Sequence, residues 1–542
     1  MASKSQNPSL NGKINLDHIP RNDKDMETTP TSTDELKKLI DSLELNKGPG
    51  IDGINSYIIK KTRDVIAPKL VHLFNSCIDV GKFPNKLKTA KIIPLHKGGS
   101  KTNPTNYRPI SLLPQFGKLF EKIIKERIVA FLVEYNIITD HQYGFRKLHS
   151  TELAITDIQN KLLQNLDDNK ITCTIFLDLA KAFDCVDHEI LLRKLERYGI
   201  RGKTLLLIES YLSNRYHLTK VNGVESNLKL LEIGVPQGSI LGPLLFILFI
   251  NDLPRITNFS VKLFADDTFL SLEDNDLKTL QNKTNTELKK ISRWFSANKL
   301  TLNVTKSQYM IVKRNNNKKS LPNFTLKFNG KKMDRCSSYK YLGVHLDDKL
   351  NWKKHINYLC EKLSKMCGFF AKLRHCCNII LLKTIYYALV ESHLQYCNMI
   401  WGNADTRVLE PLVKLQTKLI RIMCFISRDE DRDIDQVFKN LGILKLTQLN
   451  KLTTAKFMYK YKNGLLPNDN FTNFFKAPVG NHRYPLRNRR NQDFQFEWAK
   501  TTFGMKKLQC IGVQIWNEIL PEIRNSNSLR EFKSKFKKFQ LN

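Results

Sequence analysis

Ile171-Thr172-Cys173-Thr174-Ile175-Phe176-Leu177-Asp178 is an apolar, β-branched run that closes on a carboxylate, and Leu179-Ala180-Lys181-Ala182-Phe183-Asp184 follows it. This composition marks a strand covered on both faces, so a central sheet begins here. A carboxylate at the end of such a strand is costly unless it is paired or bound to a cation. Further along, Leu263-Phe264-Ala265-Asp266-Asp267-Thr268-Phe269 sets two consecutive carboxylates between apolar β-formers, the pattern of a hairpin with an acidic tip. A solvated turn is the plain reading of that pair alone, since Asp is a common turn residue. With Asp178 on a separate buried strand, two neighbouring strands can bring three carboxylates within reach of two divalent ions. Hard oxygen ligands with open water positions suit Mg2+. A two-metal site for in-line phosphoryl transfer has this composition.

The remainder of the chain bounds what surrounds such a site. Its 542 residues suggest two to four packed units, and 41% hydrophobic with 26% charged residues is ordinary globular usage. Lysine and arginine number 87 against 52 acidic residues, a formal charge of +35 that calls for a polyanionic partner. The longest apolar run, 240–250, falls short of the eighteen or more residues that span a bilayer, so no membrane span is expected. The N-terminus carries no apolar h-region, which places the chain in a reducing, intracellular compartment with its eleven cysteines as thiols. No CxxC pair points to zinc, and Cys376-Cys377 read as part of a buried helix face without function.

Residues 1–30 have no apolar period and read as a flexible arm. Ser32 and Glu35 have capping-box spacing for a helix that stops at Gly48-Pro49-Gly50. A helix over 56–81, a β-like stretch at 89–95 and helical spacing over 111–135 follow. Past the central strand come helices near 189–199 and beyond, a hairpin turning near 221–224, the acidic hairpin, and a helix over 276–297. A strand at 308–313 and short strands to 346 follow, and 352–460 is almost wholly helical. The tail, 480–542, holds thirteen Lys or Arg against five Asp or Glu, with Trp498, Phe503, Trp516 and Phe532 interleaved.

Gly234-Val235-Pro236-Gln237-Gly238-Ser239 is a Gly/Pro-rich loop opening onto an apolar helix, where backbone can approach a phosphate or base, or simply cap the helix. It is one of six strings that occur in order. The others are Lys47-Gly48-Pro49-Gly50-Ile51-Asp52-Gly53, Tyr107-Arg108-Pro109-Ile110-Ser111-Leu112-Leu113, Gln142-Tyr143-Gly144-Phe145-Arg146, the Asp178 string and Phe264-Ala265-Asp266-Asp267. Together they make the chain resemble the reverse transcriptase of non-LTR (LINE-like) retrotransposons, closest to jockey-type elements, over approximately residues 30–540.

The resemblance implies an α/β fold with an α+β palm: a right-hand polymerase with fingers, palm and helical thumb, plus a basic C-terminal extension. The arm would be 1–30, an N-terminal extension and fingers 31–169, the palm 170–346, the thumb 347–470 and the basic region 471–542, with a reverse transcriptase domain at about 85–346. The activity implied is RNA-directed DNA polymerisation, a nucleotidyl transfer that extends a DNA 3′ end on an RNA template with dNTPs. Asp178 and Asp266 would hold two Mg2+ ions, or Mn2+ as a substitute, with Asp267 in support. Phe183 matches the steric gate that excludes a 2′-hydroxyl, Gln237 and Gly238 the nucleotide contacts, and Lys97 and Arg108 the triphosphate clamp. Lys306 aligns with the lysine proposed to protonate pyrophosphate, and Leu342-Gly343 with the primer-grip turn.

Intact elements of this type carry an apurinic-type endonuclease ahead of the polymerase, and only about 30 residues precede it here, so the chain is expected to be a fragment of a longer polyprotein, to depend on a nick supplied elsewhere, or to be an isolated open reading frame. A catalytically silent nucleic-acid-binding remnant is the alternative function. Arg487-Asn488-Arg489-Arg490 is a weak nuclear signal that could equally touch phosphate, and nuclear action is implied by the resemblance alone.

Overall fold

The structure, a computed structural model, describes residues 16–314, 324–427, 430, 432–477 and 493–541. The basic tract 487–490 and the first half of the arm lie outside them. In chain order the helices up to the first long one of the C-terminal half are α1 (Thr33–Asp41), α2 (Ser56–Lys61), α3 (Arg63–Val80), α4 (Gln115–Glu134), α5 (Thr151–Asp167), α6 (His188–Arg197), α7 (Gly202–Leu212), α8 (Gly242–Phe249), α9 (Leu277–Ala297) and α10 (Lys353–Leu373). The strands are β1 (Ala90–His96), β2 (Tyr107–Leu112), β3 (Ile171–Leu177), β4 (Arg215–Val221), β5 (Val224–Glu225), β6 (Lys229–Leu231), β7 (Ser260–Phe264), β8 (Asp267–Asp274) and β9 (Gln308–Val312). β10 (Lys327–Phe328), β11 (Lys331–Lys332), β12 (Asp334–Arg335), β13 (Ser338–Tyr341) and β14 (Val344–Asp347) complete them. This is the mixed α/β content expected of a palm-type polymerase fold.

The chain divides into two compact units. The first comprises 1–145, 178–268 and 286–304, and the second 146–177, 269–285 and 305–542.

In the first unit β1 pairs antiparallel with β2 and parallel with β4, and β4 carries β6 along its first residues and β5 at its far end. The β1–β2 register sets Leu95 opposite Arg108, and Lys97 N–H donates to Asn106 O at 2.8 Å. Residues two apart on a strand share a face, so Lys97 and Arg108 project to the same side of this hairpin. Helix α8 is apolar all round and correspondingly buried on every side.

A buried ion pair sits among these helices. Lys194 Nζ donates to Asp252 Oδ1 and to Phe249 O, both at 2.6 Å, and neither charged side chain is exposed. Trp294 Nε1 donates to Asp252 Oδ2 at 2.8 Å, and His18 Nε2 lies 2.7 Å from the same oxygen. Burial alone would raise the Asp252 carboxyl, yet Lys194 with the His18 and Trp294 bonds holds it at about 2.

His18 belongs to a segment expected to be loose. Residues 16–31 are instead strapped onto α6 and α7, with Leu16, Ile19 and Met26 buried. The strap is fixed through backbone: Asn22 N–H donates to Arg197 O and Met26 N–H to Gly199 O, each at 2.8 Å, and Arg197 Nε donates to Ile19 O at 2.9 Å. An apolar period is therefore not needed to order it.

Other boundaries move for local reasons. The Ser32 hydroxyl caps Glu35 N–H at 3.2 Å as expected, but α1 ends at Asp41, where the Ser42 hydroxyl bonds back to Leu39 O. The 56–81 helix is interrupted at Thr62, and the expected 111–135 helix starts at Gln115 because Ser111 and Leu112 belong to β2.

In the second unit the strands run in the order β12-β9-β3-β8, with Cys173 opposite Ile311 and Ile175 opposite Tyr309 in the antiparallel β3–β9 pair. Phe176 stacks on Tyr339 with ring centroids 4.2 Å apart and meets Phe269 edge-on at 5.5 Å, which places the β13–β14 hairpin over the sheet. Helix α10 packs along the helix Thr406–Met423. Cys376 and Cys377 are not on a buried helix face: they occupy the turn after α10, with Cys376 exposed. Among the described residues no helix is long and apolar enough to cross a membrane.

Candidate active site

Strand β3 runs into Asp178, and the chain beyond is pinned by residues 301–303. Asn303 N–H donates to Asp178 O and Ala180 N–H to Thr301 O, each at 2.9 Å. The acidic tip forms where β7 turns through Ala265 and Asp266 into β8. Ala265 holds φ at 55°, a left-handed conformation that costs a non-glycine residue about 1–2 kcal/mol. Gln142 stabilises it: its Oε1 accepts Ala265 N–H at 3.1 Å and Gly144 N–H at 2.8 Å. Backbone bonds from Tyr143 N–H to Leu263 O and from Leu263 N–H to His141 O, both 2.8 Å, lash the same segment to β7.

The three carboxylates act on one another. Burial, then the charge of Asp178, raises the Asp266 carboxyl against the pull of Arg108 and Lys97. Asp267 is the most solvent-open of the three, yet crowding by protein, followed by the charges of Asp266 and Asp178, pushes it up to about 6. Asp178, Asp266 and Asp267 thus lie within mutual electrostatic reach, with the two hairpin cations facing Asp266. Among the described residues no three His, Cys, Asp or Glu side chains close into a ready-made metal cage. The donor set nevertheless suits a hard divalent cation: three carboxylates, mutually repelling, whose excess negative charge such an ion would neutralise. A cation held by Asp267 would compete with its proton, so Mn2+ affinity measured by titration calorimetry should then be steady above pH 7. Below about pH 6 it should weaken by up to about tenfold per pH unit. Affinity unchanged between pH 7 and 5 would separate Asp267 from the ion.

A second cluster adjoins the first along the chain after Asp178. Phe183, on the 3-10 turn Ala182–Cys185, is half-buried and stacks on Phe246 with centroids 4.6 Å apart, leaving part of the ring open. Phe183 O accepts Val235 N–H at 2.8 Å, and Gln237 Nε2 donates to Asp184 Oδ1 at 2.8 Å. Gly238, at φ 122°, lies so close to β2 that a Cβ would stand 2.6 Å from Ser111 O, while Ser111 N–H donates to Gln237 O at 2.7 Å. At the other end of the loop the buried Glu121 Oε2 accepts Ile240 N–H at 2.7 Å and Leu241 N–H at 3.0 Å, anchoring it to α4. Lys97 pulls electrostatically on both Asp184 and Asp266, which links the two clusters.

Asp178, Asp266, Asp267, Lys97, Arg108, Phe183, Gln237 and Gly238 therefore all belong to the first unit. Lys306, Leu342 and Gly343 belong to the second. Lys306 is exposed just before β9. Leu342 and Gly343 form the β13–β14 turn at φ 45° and 84°, where Leu342 O accepts the Tyr396 hydroxyl at 2.5 Å. Sequence inspection overlooked Gln142, Asp184 and Glu121 as parts of the site.

Residues 95–346 match the family model of reverse transcriptase (RNA-dependent DNA polymerase), so the chain carries a reverse transcriptase domain. Enzymes of this family use divalent metal ions. Among its homologues is the RNA-directed DNA polymerase from mobile element jockey of Drosophila melanogaster, 31% identical over 422 residues that cover 74% of this chain and 45% of that one. The probable RNA-directed DNA polymerases from transposon BS and transposon X-element of the same fly are 29% and 28% identical, over 72% and 74% of this chain and 44% of each relative. The chain thus spans a little under half the length of these relatives.

Proposed function

We propose that the chain is the RNA-directed DNA polymerase of a jockey-type non-LTR retrotransposon, extending a DNA 3′ end on an RNA template with dNTPs. The observation that carries this is the convergence of Asp178 with Asp266 and Asp267 opposite Lys97 and Arg108, inside a segment that matches reverse transcriptases. Asp178, Asp266 and Asp267 would hold two Mg2+ ions, with Mn2+ as a substitute. When bound, such ions favour ionisation of the primer 3′-hydroxyl and neutralise the triphosphate. Arg108 offers a planar fork and Lys97 a point charge to the phosphate oxygens. Gln237 and the backbone at Gly238 would contact the incoming nucleotide, with the Phe183 ring beneath its sugar. The second unit carries Lys306, assigned to protonate the departing pyrophosphate, and the Leu342-Gly343 turn, assigned to grip the primer; both roles rest on the family resemblance. So do the division into N-terminal extension and fingers (31–169), palm (170–346) and thumb (347–470), and nuclear action for a chain placed in the nucleus and/or cytoplasm.

Primer extension by the purified chain tests the proposal, with RNA and DNA templates and Mg2+. Templated dNTP incorporation is expected on RNA. Salt-sensitive RNA binding with no synthesis would select the silent remnant instead. Replacing Phe183 with Ala should relax the exclusion of ribonucleotides by roughly tenfold or more, read as the ratio of kcat/KM for dNTP and rNTP. Unchanged discrimination would remove the gate role.

A further inference from the structure

Asp184 stands six residues beyond Asp178, and the charges that pull on it are those of Lys181 and Lys97. Its Oδ1 is occupied by Gln237 Nε2 at 2.8 Å, and it faces a loop rather than the acidic tip. That bond settles an ambiguity. A glutamine amide has two nearly isosteric orientations, and a carboxylate partner accepts only from the nitrogen, so Gln237 must turn its other N–H and its carbonyl oxygen elsewhere.

The backbone around this bond is zipped as well. Gly234 N–H donates to Val186 O and Val235 N–H to Phe183 O, each at 2.8 Å, and His188 Nε2 lies 2.8 Å from Gly234 O. The zip is tight enough that a Cβ on Gly234, at φ 86°, would sit 2.7 Å from Asp184 O. The turn that carries the Phe183 ring and the loop that carries Gln237 therefore move as one body, and Asp184 supplies the side-chain bond between them.

We propose that Asp184 is a positioning residue for nucleotide selection: it orients the Gln237 amide and couples it to the Phe183 ring, so that base-pair and sugar contacts are set together. The inference rests on the polymerase reading above and adds to it a residue that acts through Gln237 and the Phe183 turn.

Steady-state and single-turnover incorporation on an RNA template by wild type, Asp184→Ala and Asp184→Asn, with Tm for each, tests it. Losing a hydrogen bond to a charged group corresponds to roughly 10- to 100-fold, so Asp184→Ala should raise KM for dNTP by that factor. Its kcat should stay within about threefold, and rejection of ribonucleotides should fall. Asp184→Asn keeps an acceptor oxygen and should recover most of both losses, which a purely structural role would not grant. An active wild type whose Asp184→Ala variant keeps its KM and discrimination overturns the inference alone. So does a variant that loses kcat and Tm together without rescue by Asn. A wild type that incorporates nothing overturns the polymerase reading and this inference with it.

Discussion

Asp266→Asn is expected to reduce Mg2+-dependent incorporation by about a thousandfold or more while raising the Tm of the ion-free protein. The first effect follows from removing a hard anionic ligand: a loss of roughly 4 kcal/mol of transition-state stabilisation is about a thousandfold in rate. The second follows from electrostatics on the folded side alone. Burial, and after it the charges of Asp266 and Asp178, hold Asp267 at about 6, so part of that rise is mutual repulsion. A neutral, nearly isosteric amide relieves that repulsion and lets the Asp267 carboxyl fall back toward its ordinary range. Opposite signs in activity and stability identify a functional carboxylate, because replacing a merely structural one lowers both. Primer extension with Tm measured in EDTA checks the pair, and incorporation equal to wild type would sink the metal assignment.

The second large effect lies away from the chemistry. Asp252→Ala strands the Lys194 ammonium in the interior with only Phe249 O and the Phe249 and Trp294 rings for company. Breaking one side of a buried pair costs about 3–5 kcal/mol. At about 2–4 °C per kcal/mol for a unit of this size, Tm should drop by about 6–20 °C. Pairing Lys194→Met with Asp252→Leu should recover most of the loss, since the cost lies in the orphaned charge. The same pair sets an acid limit. Asp252 sits at about 2 in the fold against 3.8 ordinarily, so its contribution is whole above pH 4 and disappears as pH falls through 2. A drop in Tm of less than about 1 °C for Asp252→Ala would refute this account of the core.

The carboxylates of the acidic tip were legible because they break a pattern: Asp178, Asp266 and Asp267 interrupt apolar β-runs, and the energetic objection to them is local. Gln142, Asp184 and Glu121 interrupt nothing. Glu121 lies in Lys118-Leu119-Phe120-Glu121-Lys122, indistinguishable by spacing from the solvated face of an amphipathic helix, and what marks it is a pair of backbone N–H groups about 120 residues away. Gln142 likewise acts through Ala265 N–H, 123 residues distant. Partners at such separations leave no periodic trace. The strap at 16–31 escaped notice for a related reason, since composition reports side chains and this segment is held largely through its own backbone: Asn22 and Met26 N–H donate to Arg197 O and Gly199 O, and Ile19 O, Asn22 O and Met26 O accept from Arg197, Arg201 and Thr204 side chains.

The contact of His18 with Asp252 spans 234 residues. A ribosome adding roughly 5–20 residues per second needs about 10–50 s to deliver the second partner after the first. Throughout that interval His18 lacks its carboxylate partner, and until α6 and α7 emerge the buried Leu16, Ile19 and Met26 have no helices to be strapped onto, so the nascent chain presents a sticky segment that a holding chaperone would recognise.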